Sequence, residues 1–133
     1  MDDLIAKSLE LAGDRCADPA PLIYARLFAR HPDMEHLFWR DTTGSIRGHM
    51  LYMALENILD FAGDRSYATN MILAERMNHA DLGVPGATFA AFFTAIFETV
   101  RELAGADWSP ATEAAWQDLL AGLAALGEEE TIA

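Results

Sequence analysis

A chain of 133 residues is long enough for a single domain, which at this length buries roughly two thirds of its unfolded surface in one core. Its 52% hydrophobic content is rich in Leu, Ala and Met, so the composition favours helices packed on helices. The net charge of −12 would repel nucleic-acid phosphates and anionic membrane surfaces, and neither is an expected partner.

Two helices are predicted near the N-terminus. Apolar residues at helical spacing indicate the first over residues 2–14. Asp18 then supplies an N-cap followed by prolines in the first turn, and the second helix runs to about residue 31. Within it Tyr24 precedes Phe28 by one turn, so both side chains are expected on the same side of the helix.

The third helix is predicted over residues 46–61, after a short turn that carries Phe38 and Trp39 and a polar capping loop at residues 40–45. Its apolar face is predicted to contain Arg47, Gly48, Leu51, Tyr52, Leu55, Ile58, Leu59 and Ala62. The opposite, solvent-facing side is predicted to contain His49, Glu56, Asn57 and Asp60.

Three further helices complete the pattern. The first, over residues 71–79, is separated by a turn at residues 83–86 from a strongly apolar helix over residues 88–104. The last begins at the N-cap Ser109 and ends at Gly127, leaving an acidic tail at residues 127–133 that is expected to fray. The sequence therefore predicts one all-α domain over residues 1–133.

The expected location is the cytoplasm. A single cysteine, Cys16, cannot form an internal disulfide, which indicates a reducing compartment. The acidic start Met-Asp-Asp-Leu lacks the features of a signal peptide, and no apolar run approaches the roughly 20 residues of a membrane helix.

Most catalytic templates are missing from the sequence. It has no glycine-rich phosphate loop, no nucleophile elbow and no pair of histidines at metal-binding helical spacing, which disfavours hydrolases and nucleotide-binding enzymes. What remains is His79 at the end of a predicted helix. By itself, a histidine in that position is more often a surface or capping residue than a metal ligand.

The order and spacing of several residues, however, resemble a known family. The run from Tyr24 to Phe38, with the pattern Tyr-x3-Phe-x3-Pro-x5-Phe, is similar to a stretch of bacterial globins and of the globin domains of flavohaemoglobins. The region after it is similar to the proximal half of the same fold through His79, Val84, Phe89, Phe93 and Trp116. The resemblance covers residues 18–126 and implies six to eight helices around a haem pocket.

The resemblance implies a haem b cofactor and a role for each matching residue. His79 would be the proximal iron ligand, and Phe38 would lie against the porphyrin. Tyr24 would donate a hydrogen bond to bound dioxygen and slow its release. Val84 would contact the haem edge, while Phe89 and Phe93 would line the proximal side. Without the shared spacing, plain core packing would be the preferred interpretation of Tyr24 and Phe38.

The distal side is left with two candidates, Arg47 and His49. The family places a Gln or His there, but the helical period puts His49 on the polar face. Arg47 is therefore predicted at the distal gate, within reach of a haem propionate or the ligand, with Leu51 and Leu55 over the ring. A shift in register of one turn would bring His49 back.

Two departures from flavohaemoglobins bear on function. Those proteins carry a reductase domain, which this sequence does not contain, so an oxidative reaction would need an external reductase. They also support the proximal histidine with a Tyr and a Glu, whereas Phe89 stands at the Tyr position here. Glu75, four residues before His79, is expected either to accept the imidazole N–H or to be solvated.

Three functions follow as hypotheses. The leading one is a haem globin that reversibly binds a diatomic gas, namely dioxygen, nitric oxide or carbon monoxide. The second is a nitric oxide dioxygenase that forms nitrate with electrons from an external reductase. The third is a haem-free, globin-like helical module that binds a partner. The oligomeric state is left open, and a homodimer is compatible with each hypothesis.

Overall fold

A computed structural model describes residues 3–84 and 86–132, and within these residues it contains helices and no strands. The all-α prediction is confirmed. In chain order the elements are α1 (Leu4–Arg15), α2 (Ala20–Arg30), a first 3₁₀ helix (Pro32–Phe38), α3 (Ser45–Ala62), α4 (Ala68–Asp81), α5 (Gly86–Ala104), a second 3₁₀ helix (Gly105–Asp107) and α6 (Pro110–Ile132).

The predicted helix ends differ most at α4 and α6. α4 begins at Ala68 rather than at residue 71, because a carboxylate from α3 binds the main-chain amides of residues 66–68 at the N-terminus of α4, as described below. α6 starts as predicted, with the Ser109 hydroxyl accepting the Thr112 N–H at 3.0 Å, but it continues past Gly127 to Ile132. Ala133, at the end of the predicted tail, lies outside the described residues.

α5 crosses the centre of the molecule and packs against α1, α2, α4 and α6. Its apolar run supplies much of the core, and Phe97 packs on the fully buried Trp116 of α6 with ring centroids 5.8 Å apart. The Trp116 indole N–H donates to the Ser8 hydroxyl at 2.9 Å, so the largest buried side chain also has its polar atom satisfied inside the core. This bond joins α6 to α1.

The buried stripe of α3 is narrower than predicted and is rotated relative to the prediction. Tyr52 and Leu59 were expected to be buried, but they are 59% and 39% exposed. Asn57 was expected in solvent and is buried, with its side-chain N–H donating to the Met53 carbonyl at 3.0 Å. That intrahelical bond satisfies the side-chain N–H, whereas Oδ1 of Asn57 is buried with no hydrogen-bond partner among the described residues. The residues of α3 that are buried are Leu51, Ala54, Asn57, Ile58 and Phe61.

Close contact between α3 and α6 depends on Gly122. A Cβ added at Gly122 would lie 2.9 Å from Cε2 of Phe61, which is closer than real Cβ atoms approach a neighbour. The glycine therefore lets the buried Phe61 ring pack directly on the α6 backbone.

No helix within the described part of the chain combines the length and apolarity needed to cross a membrane.

Candidate functional site

His79 lies in the last turn of α4, half-buried, and its ring is held in one orientation. Its Nδ1 is 2.7 Å from the main-chain carbonyl oxygen of Glu75. A carbonyl can only accept a hydrogen bond, so the proton of the neutral ring is on Nδ1. Nε2 is then left with its lone pair, which is the form of imidazole that ligates a metal.

The acceptor for the His79 ring is the main chain of Glu75 and not its side chain. The Glu75 carboxylate instead accepts the Asn78 side-chain N–H at 3.0 Å. Of the two alternatives expected for Glu75, acceptance of the imidazole N–H by its carboxylate is therefore not the one found. The bond to a helix carbonyl four residues earlier follows from the helical position of His79 and is available with any residue at position 75.

The backbone after His79 ends the helix in a Schellman motif. Gly83 has φ +91° and donates its N–H to the Ala80 carbonyl at 3.0 Å, and Val84 donates to the His79 carbonyl at 2.8 Å. This motif holds Val84 next to the turn that carries the histidine. Pro85, the next residue of the predicted turn, lies outside the described residues.

Aromatic rings connect His79 to the opposite side of the domain. Phe89 of α5 packs on the imidazole with centroids 5.2 Å apart, and its other neighbour is Phe93 at 5.8 Å. Phe93 contacts Phe92, which packs on Tyr24 of α2 at 5.3 Å. Tyr24 in turn contacts Phe38 at 5.6 Å and Phe28 at 5.7 Å. The structure thus brings together five predicted site residues, which are His79, Phe89, Phe93, Tyr24 and Phe38.

Phe92 is the link in this series that the sequence prediction did not assign to the site. It was recognised only as a residue of an apolar helix. Its role as a bridge depends on how α2 crosses α5, and a single sequence carries no signal for that crossing.

Several apolar residues of the predicted site remain half-buried. This group comprises Phe38, Leu55, Val84 and Phe89, and His79 has the same intermediate exposure, whereas Leu51 and Phe93 are buried. Side chains that line a cleft keep part of their surface accessible, so this exposure is compatible with an apolar crevice. These apolar side chains and the Nε2 of His79 are of the chemical kinds that hold a flat apolar cofactor with an axially ligated metal.

Tyr24 is buried, and its hydroxyl already has a partner. It is 3% exposed and donates to the main-chain carbonyl of Arg47, in the first turn of α3, at 3.0 Å. Burial raises the pKa of Tyr24 well above its ordinary value, since the phenolate would be poorly solvated; the charge of Arg47 opposes that shift and the charge of Asp41 adds to it. Tyr24 is therefore a neutral hydrogen-bond donor at physiological pH.

The side chain of Arg47 is paired with Asp41, a residue the sequence prediction did not single out. Arg47 donates to the Asp41 carboxylate from Nε at 2.9 Å and to the Asp41 carbonyl from Nη2 at 3.1 Å. The same carboxylate accepts the main-chain N–H groups of Ile46 at 3.0 Å and Arg47 at 2.9 Å. Its side chain is 1% exposed.

Asp41 is thus the cap of α3, although it lies three residues before the N-cap position. That position is held by Gly44, which has φ +82° and no side chain with which to cap. Burial alone would raise the pKa of Asp41, but the N–H donors and the guanidinium outweigh it and hold that pKa below its usual value. The clue in the sequence was a glycine at the N-cap preceded by an acidic residue in the loop.

A family model named Globin matches residues 22–126, which include Tyr24, Phe38, Arg47, His79 and the aromatic residues of α5. The chain belongs to the globin family. No curated protein and no solved structure matches it. The family match does not distinguish among branches, so the similarity to flavohaemoglobins in particular stays a prediction.

Membership of the globin family confirms the resemblance at the level of the family and the fold. His49 is exposed on α3, as the helical period indicated, while the Arg47 guanidinium lies against Asp41. Leu51 and Leu55 occupy the same helix, one buried and one half-buried. The roles of these residues towards a haem, including the choice between Arg47 and His49, stay predictions.

Proposed function

We propose that this globin binds haem b with His79 as the axial ligand and reversibly binds a diatomic gas. The observation that carries the proposal is the bond from His79 Nδ1 to the Glu75 carbonyl, because it fixes the tautomer whose Nε2 can ligate a metal. Haem iron supplies the reversible binding of dioxygen, nitric oxide or carbon monoxide. The protein contributes the ligand, the apolar walls and a hydrogen-bond donor.

On the proximal side, Phe89 restricts rotation of the imidazole by packing against it at a tilt of 54°, and Phe93 supports Phe89 from the core. Val84 would contact the edge of the haem from the Schellman turn. On the other side, Phe38 would lie against the porphyrin, with Leu51 and Leu55 over the ring. These half-buried and buried apolar residues would exclude water from the gas.

Tyr24 is the proposed donor to the gas. A hydrogen bond from its hydroxyl to a partly charged ligand is worth on the order of 1.5–3 kcal/mol, more than the roughly 0.5–1.5 kcal/mol of a neutral bond. The present bond to the Arg47 carbonyl is of the neutral kind. The hydroxyl can therefore move from the carbonyl to the ligand with a net gain.

The proximal side favours gas binding over the dioxygenase alternative. His79 donates to a neutral carbonyl. Its aromatic neighbour Phe89 has no hydroxyl with which to connect the imidazole to a carboxylate by hydrogen bonds. A carboxylate acceptor would make the imidazole a stronger electron donor, which assists oxidative chemistry. An external reductase would be a partner only under the dioxygenase alternative.

Absorption spectra of the purified protein test the proposal. The protein, as isolated or after addition of haemin, is expected to show a strong Soret band that His79→Ala loses or shifts. His36→Ala is the matched control, because it removes an exposed histidine that is not a candidate residue of the site, and it is expected to keep the band. If the natural protein is purified without haem and does not bind added haemin, the result would instead support the haem-free module.

A second measurement separates binding from dioxygenation. Nitric oxide is added to the oxygenated protein together with a reductase, and nitrate is measured. Repeated formation of nitrate would establish the enzyme, whereas the proposed binding function predicts no sustained turnover.

A further inference from the structure

The candidate site contains two side chains that could donate a hydrogen bond to a bound gas. They are the Tyr24 hydroxyl and the Arg47 guanidinium, and the main-chain carbonyl of Arg47 accepts from the Tyr24 hydroxyl. Only one of these donors is held by a charged partner. The Arg47 side chain is bonded through Nε and Nη2 to Asp41, whereas the Tyr24 hydroxyl is bonded to a neutral carbonyl.

The position of Arg47 is tied to the loop before α3. Its Nη2 lies 3.9 Å from where a Cβ would be on Gly44, so the guanidinium extends along the loop at residues 41–44. The Asp41 carboxylate that holds it also binds the amides of Ile46 and Arg47. One buried carboxylate therefore fixes both the guanidinium and the first turn of α3, which carries the acceptor of Tyr24.

The strengths of the two bonds are unequal. A charge-assisted hydrogen bond is roughly twice as strong as a neutral one, and moving Arg47 would leave the buried Asp41 without its charged partner. Moving the Tyr24 hydroxyl removes one donor from the neutral main-chain carbonyl of Arg47, and that carbonyl still accepts a hydrogen bond within the helix. Tyr24 is thus the donor that can be released at low cost.

We propose that Asp41 is a positioning residue which selects Tyr24, rather than Arg47, as the donor to a gas bound by this globin. Asp41 does so by holding the Arg47 guanidinium against the loop at residues 41–44 and by fixing the turn on which the Tyr24 hydroxyl rests. The inference depends on the haem-binding function proposed above. It means that the choice of hydrogen-bond donor to the gas is controlled by Asp41, which is not among the residues proposed to contact the haem.

The test compares the effect of Arg47→Met in two backgrounds, the natural chain and Asp41→Asn. Asparagine keeps the shape of Asp41 but presents an N–H₂ donor where the carboxylate accepted from Arg47. In the haem-loaded protein, Arg47→Met is expected to change the dioxygen dissociation rate about tenfold more in the Asp41→Asn background, a coupling of about 1.4 kcal/mol. The carbon monoxide stretching frequency should show the same dependence on Arg47, which a purely structural effect of Asp41 would not produce.

A second experiment uses only the natural protein, so its result does not depend on whether the Asp41 and Arg47 variants fold. The Arg47 Nε–H resonance should exchange slowly with solvent in the haem-free protein and remain slow after haem and carbon monoxide are bound. Loss of that protection on binding carbon monoxide would overturn the inference, as would equal effects of Arg47→Met in both backgrounds. Absence of a Soret band in the natural protein would overturn the haem-binding function itself, and the inference with it.

Discussion

The Asp60 carboxylate near the end of α3 accepts the main-chain N–H of Ala68, the first residue of α4, at 2.8 Å. It also accepts from the N–H groups of Ser66 at 3.1 Å and Tyr67 at 3.0 Å. Tyr67 occupies the N-cap position and has no side-chain cap of its own. Asp60 therefore provides the missing cap and attaches the helix that carries His79 to the preceding helix.

Replacing Asp60 with alanine should lower the thermal midpoint of unfolding by roughly 5 °C, because three amides of the α4 N-terminus lose their acceptor. Circular dichroism at pH 7 measures the midpoint. Asp64→Ala is the control, since Asp64 is exposed in the connection between the same two helices and should change the midpoint much less. Equal shifts in the two variants would contradict the capping role.

Acid should destabilise the protein by protonating the carboxylates of Asp60 and Asp41. Burial would raise the pKa of each, but the N–H groups bonded to each outweigh it and hold both pKa values below their usual range. The unfolded chain then binds more protons than the folded one, so stability rises with pH. Their contribution is present above about pH 4 and is lost as the pH falls through the lowered folded pKa values.

Urea unfolding at several values between about pH 7 and pH 2 measures this dependence. The natural chain should lose stability most steeply on the acid side, and Asp60→Asn should be less stable at pH 7 and decline less as acid is added. A variant with the same acid slope as the natural chain would show that Asp60 does not contribute.

Gly83→Ala tests the turn that follows His79. The position has φ +91°, where an L side chain is strained, so the substitution should destabilise the protein by about 1–2 kcal/mol. Crowding does not contribute, because a Cβ at Gly83 meets nothing within 4 Å. Gly13→Ala is the matched control: it is also uncrowded but lies within α1, where alanine should stabilise by about 0.5–1 kcal/mol. Chemical denaturation should therefore show shifts of opposite sign.

The helices could be predicted from the sequence because apolar spacing and cap residues are local signals. The start of α4 could not, since its cap, Asp60, lies eight residues before Ala68 and on another helix. Asn57 was misplaced for a different reason: a polar residue is expected in solvent, whereas the side-chain N–H of Asn57 donates to the Met53 carbonyl of its own helix.

Within the candidate site, the order of Tyr24, Phe38 and His79 identified the family, which the match over residues 22–126 confirms. The pairing of Asp41 with Arg47 and the bond from Tyr24 to the Arg47 carbonyl were not predictable. Each depends on how the loop before α3 folds back on that helix. Periodicity identifies the face of a helix on which a side chain lies, but it does not identify the atom that the side chain reaches.

The partner of His79 leads to a prediction about Glu75. Since the imidazole N–H donates to the main-chain carbonyl at 2.7 Å, the side chain of Glu75 is dispensable for orienting the ring. Glu75→Gln should keep the proton of the neutral imidazole on Nδ1, as measured by ¹⁵N chemical shifts in the haem-free protein. It should also change haemin affinity less than about twofold, a difference well below the worth of one hydrogen bond.

Asn78→Ala provides the comparison, because it removes the N–H that holds the Glu75 carboxylate at 3.0 Å. The carboxylate is then free to approach the imidazole of His79, where a charged acceptor would make the ring a stronger electron donor. In the haem-loaded ferrous protein, the iron–histidine stretching frequency should rise in Asn78→Ala and stay unchanged in Glu75→Gln. A change in Glu75→Gln as large as that in Asn78→Ala would mean that the carboxylate, and not the helix carbonyl, controls His79 in the natural protein.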